Sequence, residues 1–103
     1  MDIDADPHLL DGASALFSLG HDEYWSPPER AHVTAARDAG VNVAFLGANA
    51  MFRRTRLAST RLGQRRLVIC YKTSYLQDPM YGKDNALVTS DWREPPHRTP
   101  NRR

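Results

Sequence analysis

Residues 13–49 read ASALFSLGHDEYWSPPERAHVTAARDAGVNVAFLGAN, and this stretch decides the fold. Its first apolar run, Ala13–Leu19, stops at Gly20 and has the length and composition of a buried strand. A second run, Val41–Leu46, has the same character. A segment with strong helix signals separates the two runs. Strand, helix and strand in this order predict a βαβ unit with a right-handed crossover.

The helix between the two runs has clear start and stop signals. Ser26 is suited to the N-cap, Pro27 to the first helical position, and Glu29 completes a capping box three residues after the serine. Gly40 is a typical residue just beyond a helix C-terminus. The sequence therefore predicts a helix that ends at about Ala39, with an alanine-rich face packed against the sheet.

The remaining chain gives weaker signals. Met51–Leu57 is compatible with a strand or a short helix, and Ser59–Arg66 is polar and resembles a loop. The β-branched and aromatic run Leu67–Tyr71 predicts a strand, so a hairpin is expected after the βαβ unit. We predict one partial α/β domain over residues 1–93. Residues 94–103 lack a packing pattern and are expected to form a disordered tail.

Composition bounds the class of protein. With 103 residues, the chain is long enough for one small domain, and its single cysteine excludes an internal disulfide. No apolar run is long enough to cross a bilayer, and the acidic start lacks the features of a secretory signal. These observations predict a cytoplasmic protein without membrane contact.

Charge is distributed unevenly along the chain. Residues 1–38 hold eight acidic and two basic residues, whereas residues 39–77 hold seven basic and no acidic ones. A basic middle can attract nucleic acid or another anionic partner. The alternative is that the acidic and basic parts face each other, and the low aromatic content of the basic stretch favours this second interpretation.

A candidate site is predicted at the ends of the two strands of the βαβ unit. Ligands of parallel α/β sheets bind outside the carboxyl ends of the strands, which here lead into His21, Asp22, Glu23 and Asn49. In an extended segment, His21 and Glu23 point the same way, so they could bind a metal or share a proton. Asp22 would point away and is expected to have a structural role. A His-x-Glu pair alone is more often two solvated surface side chains than a binding site.

Neighbouring residues have competing interpretations. Tyr24 and Trp25 could line a pocket, but core packing is favoured. Asn49 could bind a substrate or simply form a turn. Lys72, at the end of the predicted third strand, could stabilise an oxyanion, although lysines are common at sheet edges. Cys70 lies in an apolar run and is expected to be inert. The motifs of serine hydrolases, phosphate-binding loops and zinc peptidases are absent from the sequence.

Several blocks of the sequence resemble one known family. Gly20–Ser26 is similar to the signature of the C-terminal domain of the large subunit of N,N-dimethylformamidase. The similarity continues in the same order through residues 39–49, then Cys70-Tyr71-Lys72, then residues 92–96, so that it covers about residues 6–97. Separate blocks in a fixed order are far more specific than any single motif.

This resemblance implies a fold, a reaction and a site. It implies a partial flavodoxin-like layer, similar to that of class I glutamine amidotransferases, and hydrolysis of the C–N bond of a small amide. It also implies a mononuclear iron held by two tyrosines and one glutamate. Glu23 matches that glutamate, and His21, Asn49 and Lys72 match polar residues that line the pocket. Iron bound to anionic oxygens would act as a Lewis acid.

The departures from the family predict a fragment. The family's two tyrosine ligands lie upstream of the Gly-His-Asp-Glu motif, whereas no tyrosine precedes Tyr24 in this sequence. We therefore expect a chain that is inactive alone and whose partners are a small amide substrate and other polypeptide segments that complete the domain. Nucleic acid is not an expected partner. The alternatives are a binding module that holds an anionic partner through Arg53–Arg66, or a gene remnant that folds poorly.

Overall fold

The computed structural model describes residues 1–97, so the last six residues of the predicted tail lie outside the described part of the chain. Two α-helices, six strands and two 3₁₀ helices are present in this part. In chain order they are α1 Asp2–Ala5, β1 Ala15–Leu19, β2 Tyr24–Trp25, α2 Pro27–Asp38, β3 Asn42–Leu46, β4 Arg53–Arg54, β5 Arg56–Thr60, β6 Gly63–Ile69, and the 3₁₀ helices Lys72–Gln77 and Asn85–Leu87.

The predicted βαβ unit is present. Strands β1 and β3 pair in parallel, with Phe17 opposite Ala44, and α2 connects them. The N-cap prediction is also confirmed, because the backbone N–H of Glu29 donates to the Ser26 hydroxyl at 3.3 Å. The helix ends at Asp38, one residue before the predicted end. Gly40 follows with φ of 104°, a conformation in which glycine is favoured because it has no Cβ.

The predicted hairpin is present but longer than expected. Strands β5 and β6 pair antiparallel, with Arg56 opposite Ile69, and the pairing extends to Thr60 opposite Gly63. The prediction of a loop over residues 59–66 was therefore wrong. Polar residues on both faces made this segment look like a loop, yet the hairpin is largely exposed and tolerates them. The ambiguous segment from Met51 forms strands rather than a helix.

The strands form three separate pairs within residues 1–97. These are the parallel pair β1–β3, the parallel pair β2–β4 and the antiparallel pair β5–β6. The structure is thus a small mixed α/β arrangement. A flavodoxin-like layer requires one sheet of several parallel strands, and the described residues do not form such a sheet.

Burial is concentrated away from the β1–β3 sheet. The buried apolar residues are Trp25, Val33, Val41 and Val88. By contrast, Phe17 is 62% and Leu19 is 71% exposed, so the prediction that the first strand is buried was wrong. The sheet has only two strands in the described chain, so each strand keeps a free edge. Parallel sheets are normally covered on both faces, which is why the apolar run predicted burial.

Hydrogen bonds hold the N-terminal helix α1 against α2. The Ser26 hydroxyl donates to Asp4 at 2.5 Å, and Nδ1 of His32 lies 2.6 Å from the carbonyl oxygen of Ile3. Arg65 of the hairpin also donates to Asp4, at 2.7 Å. Asp4 therefore joins three elements through one buried carboxylate. Within residues 1–97, no helix combines the length and apolar character that crossing a bilayer requires.

Candidate active site at the ends of the parallel strands

Backbone hydrogen bonds join the two loops that follow β1 and β3. The N–H of Gly20 donates to the carbonyl of Leu46 at 3.2 Å, which continues the sheet beyond its last strand residues. The N–H of Met51 then donates to Asp22 at 2.9 Å, and that of Arg53 donates to Glu23 at 2.7 Å. The two loops are therefore neighbours, as the rule for parallel strands predicts.

The Glu23 carboxylate faces a guanidinium group. Arg53 Nε donates to Glu23 Oε1 at 3.3 Å, and Arg53 Nη1 donates to Asp91 Oδ1 at 2.5 Å. The side chains of Arg53, Glu23 and Asp91 are 18%, 23% and 11% exposed, respectively. Burial by itself lowers the pKa of Arg53, but the hydrogen bonds and charges of Asp91 and Glu23 outweigh burial and raise it. Arg53 is therefore a permanent cation at this site.

His21 and Asn49 lie on the same loops but do not contact Glu23 through hydrogen bonds in the described structure. Both are exposed, and Asn49 has φ of 55°, a left-handed conformation that asparagine tolerates in turns. Asp22 accepts a hydrogen bond from the Ser18 hydroxyl at 2.6 Å, which agrees with the structural role predicted for it. The loops thus bring His21 and Asn49 to the same edge, with their side chains open to solvent.

Lys72 lies beside Tyr24. Its Nζ is 5.3 Å from the centre of the Tyr24 ring, and a hydrogen bond with Tyr24 is the main cause that raises the pKa of Lys72. The lysine does not end a strand as predicted, because β6 stops at Ile69 and Lys72 begins a 3₁₀ helix. Tyr24 directly follows Glu23, so the lysine charge is held near the candidate site.

Trp25 and Cys70 belong to the packed part of the chain. Trp25 is 2% exposed and its ring centre is 6.0 Å from that of Phe45, so the core-packing interpretation of this residue is confirmed. Burial raises the pKa of the Cys70 thiol, and its Sγ is 3.8 Å from the carbonyl of Arg54. A thiol with a raised pKa is a poor nucleophile, which agrees with the prediction that Cys70 is inert.

The basic stretch is mostly compensated within the chain. Arg56 forms an ion pair with the buried Asp78 at 3.1 Å, and Arg65 pairs with Asp4. Arg54 is buried, and its Nη1 donates to the carbonyl of Val88 at 3.0 Å. Arg53 and Arg65 pair with Glu23 and Asp4 of the acidic part, whereas Asp78 and Asp91 belong to the C-terminal segment, so the acidic and basic parts face each other only in part.

Residues 1–97 do not form a metal site by themselves. They contain no group of three His, Cys, Asp or Glu side chains placed to hold one ion. The Glu23 carboxylate, which the resemblance assigns as a ligand, already has Arg53 as its counter-charge. Iron held as the family resemblance implies would therefore need further ligands from outside these residues and a displaced Arg53. The arrangement does not fit a resident iron as it stands.

One cavity of the described chain lies away from these residues. It has a volume of about 620 Å³ and opens between the hairpin and the N-terminus of α2. Its walls include Pro27, Leu57, Arg65 and Leu87, but none of the four predicted site residues. This cavity is therefore not the predicted site.

Sequence reasoning missed two residues of the site. Arg53 and Asp91 lie 30 and 68 positions from Glu23 and carry no motif of their own. The available signal was the stretch of unopposed arginines, which indicated that acids elsewhere must compensate it. That signal did not say which acid pairs with which arginine.

The fold and the site define an α/β protein with polar residues gathered where two parallel strands end. The chain matches, over residues 1–103, the family described as N,N-dimethylformamidase beta subunit-like, C-terminal, and it belongs to that family. No curated protein and no solved structure matches it. The resemblance drawn from the sequence blocks is thereby confirmed.

Proposed function

We propose that this chain supplies one wall of an active site that hydrolyses the C–N bond of a small amide. One observation carries the proposal: in a chain of this family, Glu23 lies where the loops after β1 and β3 are joined by hydrogen bonds. That edge is where ligands of parallel α/β sheets bind. The whole activity would require polypeptide segments beyond those described here.

The polar groups of this edge suit amide hydrolysis. The reaction needs a group that stabilises negative charge on the carbonyl oxygen and a group that moves protons to the leaving amine. Lys72, a cation with a raised pKa, is suited to the first task, and Asn49 can add a hydrogen bond. His21 is exposed, and an imidazole is a group that can act as a general acid or base. In this proposal these three are the catalytic residues.

The resemblance adds an iron ion at Glu23 and a complete flavodoxin-like layer. Both would depend on segments that the described residues do not supply, so no step of the proposed reaction runs through iron. The free edges of β1 and β3 are compatible with further strands, since each strand has only one neighbour within residues 1–97. A cytoplasmic location belongs to the same proposal.

The alternative of an anion-binding module has less support. It requires Arg53–Arg66 to offer free charges, but four of the six arginines in this range are engaged with acids or carbonyls of the chain. Arg61 and Arg66 are the two exposed ones. Two phosphate contacts would give a shallow dependence of affinity on salt, whereas six would give a steep one, and a titration at several salt concentrations separates the two.

The proposal is tested with amide hydrolysis assays on two proteins. One is this chain alone, and the other is a longer polypeptide that contains it together with the tyrosine-bearing sequence of the family. We expect turnover of small formamides only by the longer protein. Lys72→Met should then lower kcat by about 100-fold or more, the size of effect that follows the loss of a group that stabilises the oxyanion.

Lys83→Met provides the matched control, because Lys83 is exposed and the substitution is the same chemical change outside the site. It should retain activity. Turnover by the chain alone at an enzymatic rate, or equal rates for Lys72→Met and Lys83→Met, would show that the proposed active site is wrong.

A further inference from the structure

The Arg53 guanidinium is placed between two carboxylates from distant parts of the chain. It donates to Glu23 at 3.3 Å on one side and to Asp91 at 2.5 Å on the other. All three side chains are less than a quarter exposed. Two carboxylates at such a site would repel each other, and the guanidinium between them supplies the compensating positive charge.

The backbone holds the guanidinium in this position. Arg53 is in register with Tyr24 across the β2–β4 pair and also forms an isolated β-bridge with Asp91. The Phe52 ring lies under the guanidinium, with 4.6 Å between the guanidinium carbon and the ring centre. The arginine is therefore fixed by pairing on both sides, and moving it away would break two ion pairs at once.

We infer that the Arg53 guanidinium occupies the position between Glu23 and Asp91 that a metal ion would otherwise occupy. Glu23 is then neutralised within the chain and does not bind a metal while Arg53 is in place. This conclusion follows from the contacts of Arg53 and is independent of the proposed amide hydrolysis, since its test measures metal binding and not turnover.

The test is a calorimetric titration with Mn²⁺, a hard divalent ion that prefers carboxylate oxygens. The wild-type chain should show no saturable binding. Arg53→Met removes the charge but keeps an unbranched side chain, and it should show weak saturable binding of one equivalent of Mn²⁺, with a Kd at least about 10-fold below the highest Mn²⁺ concentration of the titration, because the two carboxylates then face each other. Arg53→Met/Glu23→Gln and Arg53→Met/Asp91→Asn should lose that gain.

Two control variants test whether the gain in Mn²⁺ binding is specific to the loss of positive charge at position 53. Arg53→Lys retains a cation at the position and should bind Mn²⁺ as weakly as the wild type. Arg66→Met removes an exposed arginine elsewhere and should also leave binding unchanged. Saturable binding by the wild type that Glu23→Gln abolishes would overturn the inference, and so would an Arg53→Met variant that folds but gains no affinity.

A measurement on the wild-type chain decides the matter if Arg53→Met fails to fold. The Arg53 Nε–H resonance should be slow to exchange with solvent and should not broaden preferentially in excess Mn²⁺, since the guanidinium itself fills the position. Preferential broadening of this resonance, abolished by Glu23→Gln, would place Mn²⁺ at the carboxylates and refute the inference. Loss of amidase activity in the longer protein would leave this result unaffected.

Discussion

The β1–β3 sheet and the segment Val88–Ser90 show opposite relations between sequence pattern and burial. The sheet has every local signal of a buried element, yet Phe17 and Leu19 are largely exposed. Val88–Ser90 has no regular secondary structure and mostly polar side chains, yet its three residues have no exposed surface. Local patterns thus indicate which residues form strands and helices, while contacts between distant segments decide which of them are buried.

The buried segment is stabilised by hydrogen bonds that satisfy its polar groups. Asp78 accepts from both the backbone N–H and the hydroxyl of Thr89 at 3.0 Å, and the Thr89 hydroxyl in turn accepts from the N–H of Tyr71 at 2.9 Å. The N–H of Arg54 donates to the carbonyl of Ser90 at 2.9 Å. Polar residues can be buried when their donors and acceptors are paired in this way.

The largest effect on stability is expected when a buried side chain is truncated. Trp25→Ala should lower the free energy of unfolding by about 3–5 kcal/mol, because it removes a fully buried aromatic ring in contact with Phe45. Urea unfolding followed by circular dichroism measures the change. Leu62→Ala is the control, since Leu62 is 84% exposed, and it should change stability by less than about 0.5 kcal/mol. Similar values for the two variants would mean that Trp25 is not a core residue.

The next effect concerns the carboxylate that stabilises Val88–Ser90. Burial raises the pKa of Asp78, but hydrogen bonds from Arg56, Met80 and Thr89 outweigh it and lower the pKa to about 2. Asp78→Asn should therefore cost about 2 kcal/mol at neutral pH. Asp38→Asn is the matched control, because the Asp38 side chain is 64% exposed and its ion pair contributes little.

The same carboxylate predicts a pH dependence. Its pKa is lower in the folded chain than the usual value of 3.8, so its contribution is fully present above pH 4 and is lost as the pH falls through about 2. In urea titrations between pH 5 and pH 2, the wild type should lose more stability than Asp78→Asn. Parallel loss in both proteins would show that Asp78 is not the responsible group.

A smaller effect is expected at the start of α2. Ser26→Ala removes the N-cap hydrogen bond from Glu29 and the bond to Asp4, and it should cost about 1–2 kcal/mol. Ser74→Ala, at an exposed position, should be close to neutral. Thermal unfolding of both variants gives the comparison, and equal midpoints would contradict the cap assignment.

The outcome for Ser26 and for Arg53 illustrates what sequence can and cannot predict. The cap, the helix and the flanking strands depend on residues within a few positions of one another, so Ser26, Pro27 and Gly40 were sufficient to place α2. The proximity of the Glu23 and Asn49 loops followed from one general rule for parallel strands. The Glu23–Arg53–Asp91 network spans 68 positions, and no local pattern indicates such a pairing.

The smallest effect on stability is expected in the exposed β1–β3 sheet. Phe17 is 62% exposed, so Phe17→Ser should change the free energy of unfolding by less than about 0.5 kcal/mol. Urea unfolding at several protein concentrations measures it. A loss comparable to that of Trp25→Ala, or a stability that rises with wild-type concentration but not with that of Phe17→Ser, would mean that another surface covers the sheet in solution. The β1–β3 sheet would then be exposed only in the monomer and covered on association. Coverage of both faces is the usual state of a parallel sheet.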